Sequence, residues 1–315
     1  MKIVFMGTPD FSVPILRKLH KDYNVVLVVT KPDTPQGRKR IMTPPPVKVY
    51  AERHKIPCFQ PSHIKRDYQP ILDAEPDLII TAAYGQIIPK ALLDFPRLGC
   101  INVHASLLPK LRGGAPIQRA IERRHTTTGV TIMEMVKAMD AGDILAQASL
   151  KIDPLETAGT LFDKLSNLGA ELLMTTLPDV KHQRIKAQPQ NPDEVTYAYN
   201  ITRAEERLDF SQSVFDLEAK IRAFHPQPNT YAIVNDKKLK IIFSRVHQCQ
   251  NFFTKHQDTP NGTILKHFED GFAIKCPDGA LVATHVQLEG KNPMTAEQFL
   301  RGAGQNLVKI GEILA

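Results

Sequence analysis

The run Tyr23-Asn24-Val25-Val26-Leu27-Val28-Val29-Thr30 is nearly continuous in β-branched and aliphatic residues. A strand with one face in water alternates apolar and polar side chains, whereas a parallel strand covered by helices on both faces does not. The octapeptide therefore reads as an inner strand of a parallel sheet. Upstream, Lys2–Met6 is a second short apolar run. Between the two, Phe11–His20 sets Ile15, Leu16 and Leu19 at helical spacing, with Asp10 placed to cap the helix. Downstream, Leu78–Ala83, Gly99–Val103 and Gly129–Val136 repeat the strand pattern, and Thr160–Leu177 returns to a helical period with apolar residues at 161, 165, 168 and 172. This alternation, over about residues 1–180, specifies an α/β fold with a Rossmann-like, mostly parallel open sheet.

The pattern then changes. Residues 181–200 are polar, contain two prolines and keep no period, as an extended connection does. Asp216–Phe224 has the spacing of a helix that ends before Pro226 and Pro228. Short strand candidates follow at Tyr231–Val234, Leu239–Val246, Gly262–Lys266, Phe272–Lys275 and Leu281–Val286, separated by turn residues such as Asn261-Gly262 and Asp278-Gly279. Strands this short and this evenly spaced suggest a small, OB-like β-barrel, closed by a helix over Ala296–Gly302. The expected organisation is a first domain over 1–183, a linker over 184–204 and a barrel domain over 205–315.

Composition narrows the classes. With 315 residues, 42% hydrophobic and 23% charged, the chain has the make-up of a two-domain globular protein and not of a fibre or a disordered segment. The apolar start Met1–Met6 is too short for a secretory signal, and no stretch approaches the roughly 18 apolar residues of a membrane span. Cys58, Cys100, Cys249 and Cys276 form no C-x-x-C pair, so neither a metal site nor a disulfide framework is signalled. A cytoplasmic protein with reduced thiols and no metal is expected. The net charge is +7, yet residues 206–315 hold 13 Lys and Arg against 12 Asp and Glu, so the excess lies mostly in the first 205 residues. Part of it clusters in Lys31, Arg38, Lys39, Arg40 and Lys48, opposed there only by Asp33. Such a cluster can meet phosphates or simply be a solvated loop.

Nucleotide chemistry of the common kinds is disfavoured. The turn after the first strand, Gly7-Thr8-Pro9-Asp10-Phe11-Ser12, has one glycine where a dinucleotide cradle needs three, and no G-x-x-x-x-G-K-[ST] sequence occurs. The segment Gly99-Cys100-Ile101-Asn102-Val103-His104-Ala105-Ser106-Leu107-Leu108-Pro109 is more informative. Asn102 interrupts a buried strand and His104 ends it, and alternation puts both on one face. Burying an amide beside an imidazole costs free energy unless each has partners, and ligands of open α/β sheets bind at the C-terminal strand ends. The two side chains could satisfy neighbouring backbone groups or face a ligand. Asp140, in Met139-Asp140-Ala141-Gly142-Asp143, could cap its own turn, orient His104 or relay a proton.

These residues carry a resemblance. Asn102-x-His104 with Ser106-Leu107-Leu108-Pro109, then Arg112-Gly113-Gly114-Ala115-Pro116-Ile117, then Asp140-x-Gly142-Asp143-Ile144-Leu145, resembles the folate-dependent formyltransferases. The opening Phe5-Met6-Gly7-Thr8-Pro9-Asp10-Phe11, the basic proline-rich stretch Lys31–Lys48, Tyr197-Ala198, Arg222-Ala223-Phe224 and Gly290-Lys291 are similar to the members of that family that act on the methionine carried by initiator tRNA. The likeness spans essentially the whole chain. It departs at His225-Pro226-Gln227-Pro228, where the family usually has N-P-W-P, and at Asn200, where a lysine is common.

The resemblance implies formyl transfer from 10-formyltetrahydrofolate to the α-amine of methionyl initiator tRNA. It makes the first domain catalytic and the barrel an RNA-binding domain. It further implies Asn102, His104 and Asp140 as the catalytic set, with Asn102 stabilising an oxyanion and His104 or Asp140 handling the amine proton. Ser106, Leu107, Leu108, Pro109, Tyr84, Gln86 and Ile87 are implied at the folate, and Arg38, Lys39 and Arg40 at the tRNA. A monomer with no metal is expected. The competing readings are a formyltransferase for a small amine and a catalytically inert nucleic-acid-binding module.

Overall fold

The protein is described by a computed structural model that covers residues 1–37, 39–249 and 254–315. Two compact units emerge. One comprises Met1–Pro116, Thr127–Lys151 and Phe162–Tyr199; the other comprises Ile117–Thr126, Ile152–Leu161 and Asn200–Ala315. None of the described helices is long and apolar enough to cross a membrane.

The first unit is built on seven strands. β1 (Lys2–Gly7) lies between β2 (Asn24–Val29) and β6 (Leu78–Ala82), with β5 (Cys58–Phe59) outside β2 and β7 (Cys100–His104) outside β6. These five run parallel, and their inner members are apolar throughout because both faces are covered: Ile3–Met6, Val28, Val29 and Leu78–Ile80 are fully buried. β8 (Thr127–Glu134) and β9 (Ile144–Lys151) continue the sheet antiparallel. The chain leaves β1 toward β2 and later returns to its other side at β6. This reversal opens a crevice at the C-terminal strand ends, where open α/β sheets bind ligands.

Two expectations change here. Asp10 does not cap the first helix. α1 spans Ser12–Asp22 with Phe11 at its N-cap and no side-chain cap bond. Pro9 and Asp10 instead form the turn, their carbonyls accepting the amides of Ser12 and Val13 at 3.0 and 3.1 Å, while the Ser12 hydroxyl donates to Ala82 O at 2.6 Å. The basic stretch is also more ordered than a plain loop: β3 (Thr34–Gln36) and β4 (Ile41–Thr43) make a small antiparallel hairpin.

The long helix Ala158–Lys181 covers β7. Leu165, Leu173 and Leu177 are fully buried, and Gly169 permits the close approach, since a Cβ there would stand 2.9 Å from Val103 Cγ1. The connection after this helix is extended, as its composition implies, but it is pinned. Gln188 exchanges two backbone hydrogen bonds with Ile144, and Tyr197 pairs with Arg112.

In the second unit an antiparallel sheet runs in the order β10 (Thr230–Val234), β11 (Lys237–His247), β14 (Gly279–Leu288), β13 (Gly271–Cys276), β12 (Ile264–Phe268), with β15 (Met294–Thr295) beside β14. The helix Ala296–Arg301 sends Phe299 into the core beside Phe272, Leu217 and Ile221. It plugs the barrel but does not close it. Residues 311–315 do that: Gly311 and Glu312 bond to Ile264 at one sheet edge, and Ala315 exchanges two bonds with Ile233 at the other.

Candidate active site

β7 has Ile101 and Val103 buried on one face and Asn102 and His104 on the other. Register sets Asn102 between Thr81 on β6 and Met133 on β8. The Thr81 hydroxyl donates to Asn102 Oδ1 at 2.7 Å. This bond occupies the amide oxygen and leaves the amide nitrogen as the end of the side chain that can donate to a ligand.

His104 is buried, 6% exposed, and its Nε2 lies 3.1 Å from the Leu111 carbonyl oxygen. A carbonyl can only accept, so Nε2 carries a proton, and in the neutral form of the ring the lone pair lies on Nδ1. Nδ1 in turn faces Asp140 Oδ2 at 3.9 Å. That is longer than a hydrogen bond. Asp140 is therefore not what orients the imidazole in this state; Leu111 is. A proton arriving at Nδ1 would complete an ion pair with the carboxylate.

Asp140 does not cap its own turn. Its backbone is left-handed, φ 49°, and its Oδ2 accepts the Gly113 amide at 2.8 Å. The loop that carries it is held from outside. Gln190 Nε2 donates to both Asp140 O and Gly142 O, at 2.8 and 2.7 Å, while Gln190 Oε1 accepts from Arg112 Nε and Nη2 at 3.1 and 2.7 Å. Gly142 has no alternative: a Cβ would fall 1.9 Å from Glu134 O. Arg112 entered the sequence reading only as part of the Arg112–Ile117 motif, with no role of its own, and Gln190 was not singled out. Gln190 sits in the polar connection, and nothing in its spacing links it to a residue fifty positions away.

Ser106–Pro109 follow His104 after one residue, Ala105. Ser106 and Leu108 are buried, and the Ser106 hydroxyl donates to Lys110 O at 2.7 Å. Thr131 Oγ1 accepts the Leu108 amide and donates to Ser106 O, and Gln147 Nε2 donates to Leu108 O at 2.8 Å. The segment is thereby fixed to β8 and β9, with Leu107 half-buried. The loop after β6 is anchored separately: Thr8 Oγ1 donates to Tyr84 O, and Gln86 accepts the Ile64 amide and donates to Pro61 O. Ile87 is 68% exposed, whereas the Tyr84 ring is buried and its hydroxyl has no hydrogen-bond partner. Burial pushes that phenol up to about 12.

The basic hairpin stands apart from this cluster. Lys39 and Arg40 at its tip are exposed, and Arg38 lies outside the described residues. Lys48, counted with them from the sequence, is spent on Asp33, to which it donates at 2.9 and 3.0 Å, so it anchors the hairpin base and does not extend its positive surface. Lys31 points elsewhere, its ammonium packed over Gly85, where a Cβ would stand 2.6 Å from Nζ. Among the described residues no group of three or more His, Cys, Asp and Glu side chains could hold a metal ion.

An amide donor, an imidazole with a basic nitrogen and a carboxylate beyond it, all at the end of a sheet strand, suit transfer of an acyl group to an amine. The chain matches the family description formyl transferase over residues 1–177, and formyl transferase, C-terminal domain, over residues 200–304. It belongs to the formyl transferase family, whose members are transferases. Its full-length relatives are more particular. The methionyl-tRNA formyltransferase of Geobacillus thermodenitrificans is 50% identical over 317 residues, covering 98% of both chains. That of a further Geobacillus species is 48% identical over 319 residues, covering 99% of this chain and 98% of the other. Among solved structures, WlaRD, a sugar 3N-formyl transferase crystallised with dTDP and 5-N-formyl-THF, shares the fold with TM-score 0.66 at 20% identity, over 93% of this chain and 99% of that one.

Proposed function

We propose that this enzyme transfers the formyl group of 10-formyltetrahydrofolate to the α-amine of methionyl initiator tRNA, in the cytoplasm and as a monomer. The observation that carries the reading is the grouping of Asn102, His104 and Asp140, in a chain half identical to methionyl-tRNA formyltransferases along its whole length.

The donor supplies an electrophilic formyl carbon. Its flat ring fits the loop after β6, where Ile87 offers an exposed apolar surface. Leu107 and the main chain of Ser106–Pro109 border the end of the neighbouring strand β7, with Gln86 holding the loop after β6 in place. Asn102 donates from its amide nitrogen to the formyl oxygen as that oxygen gains charge. One such donor is worth roughly 10²–10³ in rate. His104 Nδ1 takes the proton that the amine must lose, Asp140 stabilises the resulting imidazolium, and the imidazolium returns the proton to N10 as the formyl C–N10 bond breaks and tetrahydrofolate leaves. This assigns the proton to His104 and a supporting role to Asp140. Lys39 and Arg40, together with Arg38, contact acceptor-stem phosphates, and the barrel unit 205–315 binds further along the tRNA.

The test offers the enzyme 10-formyltetrahydrofolate with charged initiator tRNA and, separately, with glycinamide ribonucleotide and an amino-sugar nucleotide. Formylmethionyl-tRNA should form at a kcat/KM at least about 10³-fold above either small amine. Preference for a small amine, or no transfer to any acceptor, would overturn the proposal.

A further inference from the structure

We infer that Tyr197 and Tyr199 form a stacking platform for an unpaired base of the RNA acceptor's single-stranded 3′ end. The inference rests on the RNA-acceptor reading above and assigns it a binding site.

The two rings lie almost parallel, 6° apart in tilt with centroids 5.6 Å apart, and they are 41% and 64% exposed. They are two residues apart on extended backbone and so share one side, while Ala198 between them is buried on the other. Rings of this size usually hide in a core. A parallel pair held in solvent marks a surface built to be covered.

What holds the pair also holds the chemistry. Arg112 N donates to Thr196 O at 2.9 Å, Ala198 N to Arg112 O at 2.7 Å, Ala115 N to Ala198 O at 3.1 Å, and Leu111 N to Thr196 Oγ1 at 2.9 Å. Gly113 makes this approach possible, because a Cβ there would stand 2.6 Å from Ala198 O. The segment 111–113 is the one whose Leu111 carbonyl fixes His104 and whose Gly113 amide fixes Asp140. The rings are therefore registered to the reacting groups through one short β-bridge.

A nucleobase is the partner these features favour. Aromatic rings on a surface stack with bases of any identity, and unpaired ends are where bases are available. The exposed Lys110, one residue before Leu111, adds a cation for the adjoining phosphate. The folate ring is also flat, but it is served by the loop after β6, and a platform exposed to this degree would leave it in water.

The experiment uses the full-length enzyme and a hairpin RNA with a single-stranded 3′ overhang in which one adenine is replaced by 2-aminopurine. Stacking quenches this base. Wild type and Tyr199→Phe should quench it at a common position, and Tyr199→Leu, which keeps apolar bulk without a ring, should not. With charged tRNA, Tyr199→Leu should raise the KM for tRNA roughly 5- to 50-fold, leave the KM for the folate unchanged and hold kcat within about threefold. Quenching that survives in Tyr199→Leu, or a rise in the folate KM in place of the tRNA KM, overturns the platform. Wild-type formylation of charged tRNA in the same preparation tests the parent reading: active enzyme without quenching overturns the platform alone, and inactive enzyme overturns both.

Discussion

His104 donates from Nε2 to the Leu111 carbonyl, 3.1 Å away, and this bond decides which ring nitrogen can act as a base. With Nε2 committed, the lone pair sits on Nδ1, opposite Asp140. The ¹⁵N shifts of His104 in the free enzyme at alkaline pH should show the Nε2–H tautomer. A dominant Nδ1–H tautomer would contradict the assignment. His104→Ala should lower kcat at least about 10²-fold.

Gln190 should behave as a positioning residue for Asp140. Its amide donates to the carbonyls of Asp140 and Gly142 and accepts from Arg112. Gln190→Ala and Gln190→Glu should each lower kcat about 10- to 100-fold, with both KM values within threefold, because small displacements of a catalytic group are costly. Glutamate is the discriminating variant. It retains an acceptor for Arg112 but cannot donate to the two carbonyls, so recovery in Gln190→Glu would assign the role to Arg112 instead.

The exposed cations of the hairpin tip should show themselves through salt. Lys39→Ala with Arg40→Ala should raise the KM for tRNA and flatten the dependence of log KM on log salt by about 1.5, as expected for two lost phosphate contacts. The folate KM should not move. A salt slope equal to that of wild type would remove the hairpin from the RNA interface.

Hydrogen bonds from Gln60 and then Lys48 hold the Asp33 carboxyl below the usual carboxylate range. A carboxylate depressed in the folded state adds stability that is fully present above its unfolded value of about 3.9 and is lost as pH falls through the folded value. Protection factors for the hairpin amides between Thr34 and Thr43 should therefore be constant from about pH 7 to pH 5 and decline below about pH 4. In Asp33→Asn they should start lower and lose that acid dependence.

Much of the fold was legible because burial leaves a direct trace in composition. Tyr23–Thr30 and Leu78–Ala83 read as strands covered on both faces, and they are. Asn102 and His104 were legible for the opposite reason, as polar residues at period two in an apolar run. The hairpin was missed: three-residue strands carrying Pro35 and exposed Ile41 and Met42 have no buried face to imprint a period. Asp10 misled because a good capping residue one position early looks the same in sequence as one in place. The barrel closure through residues 311–315 was illegible because it is a main-chain contact between distant segments, indifferent to the side chains nearby, and the reach of Gln190 to Asp140 because a single amide side chain in a polar connection carries no period that marks its distant partner.

Asn102 is the donor to the developing oxyanion on which formyl transfer at this strand end depends. Its oxygen is held by Thr81 and its nitrogen is left for the substrate. The decisive measurement is the single-turnover rate of formylmethionyl-tRNA formation by Asn102→Ala, with folate and charged tRNA both saturating. A fall of about 10²–10³-fold with unchanged binding of both substrates is expected. A rate within threefold of wild type would contradict the assignment of this strand end as the active site.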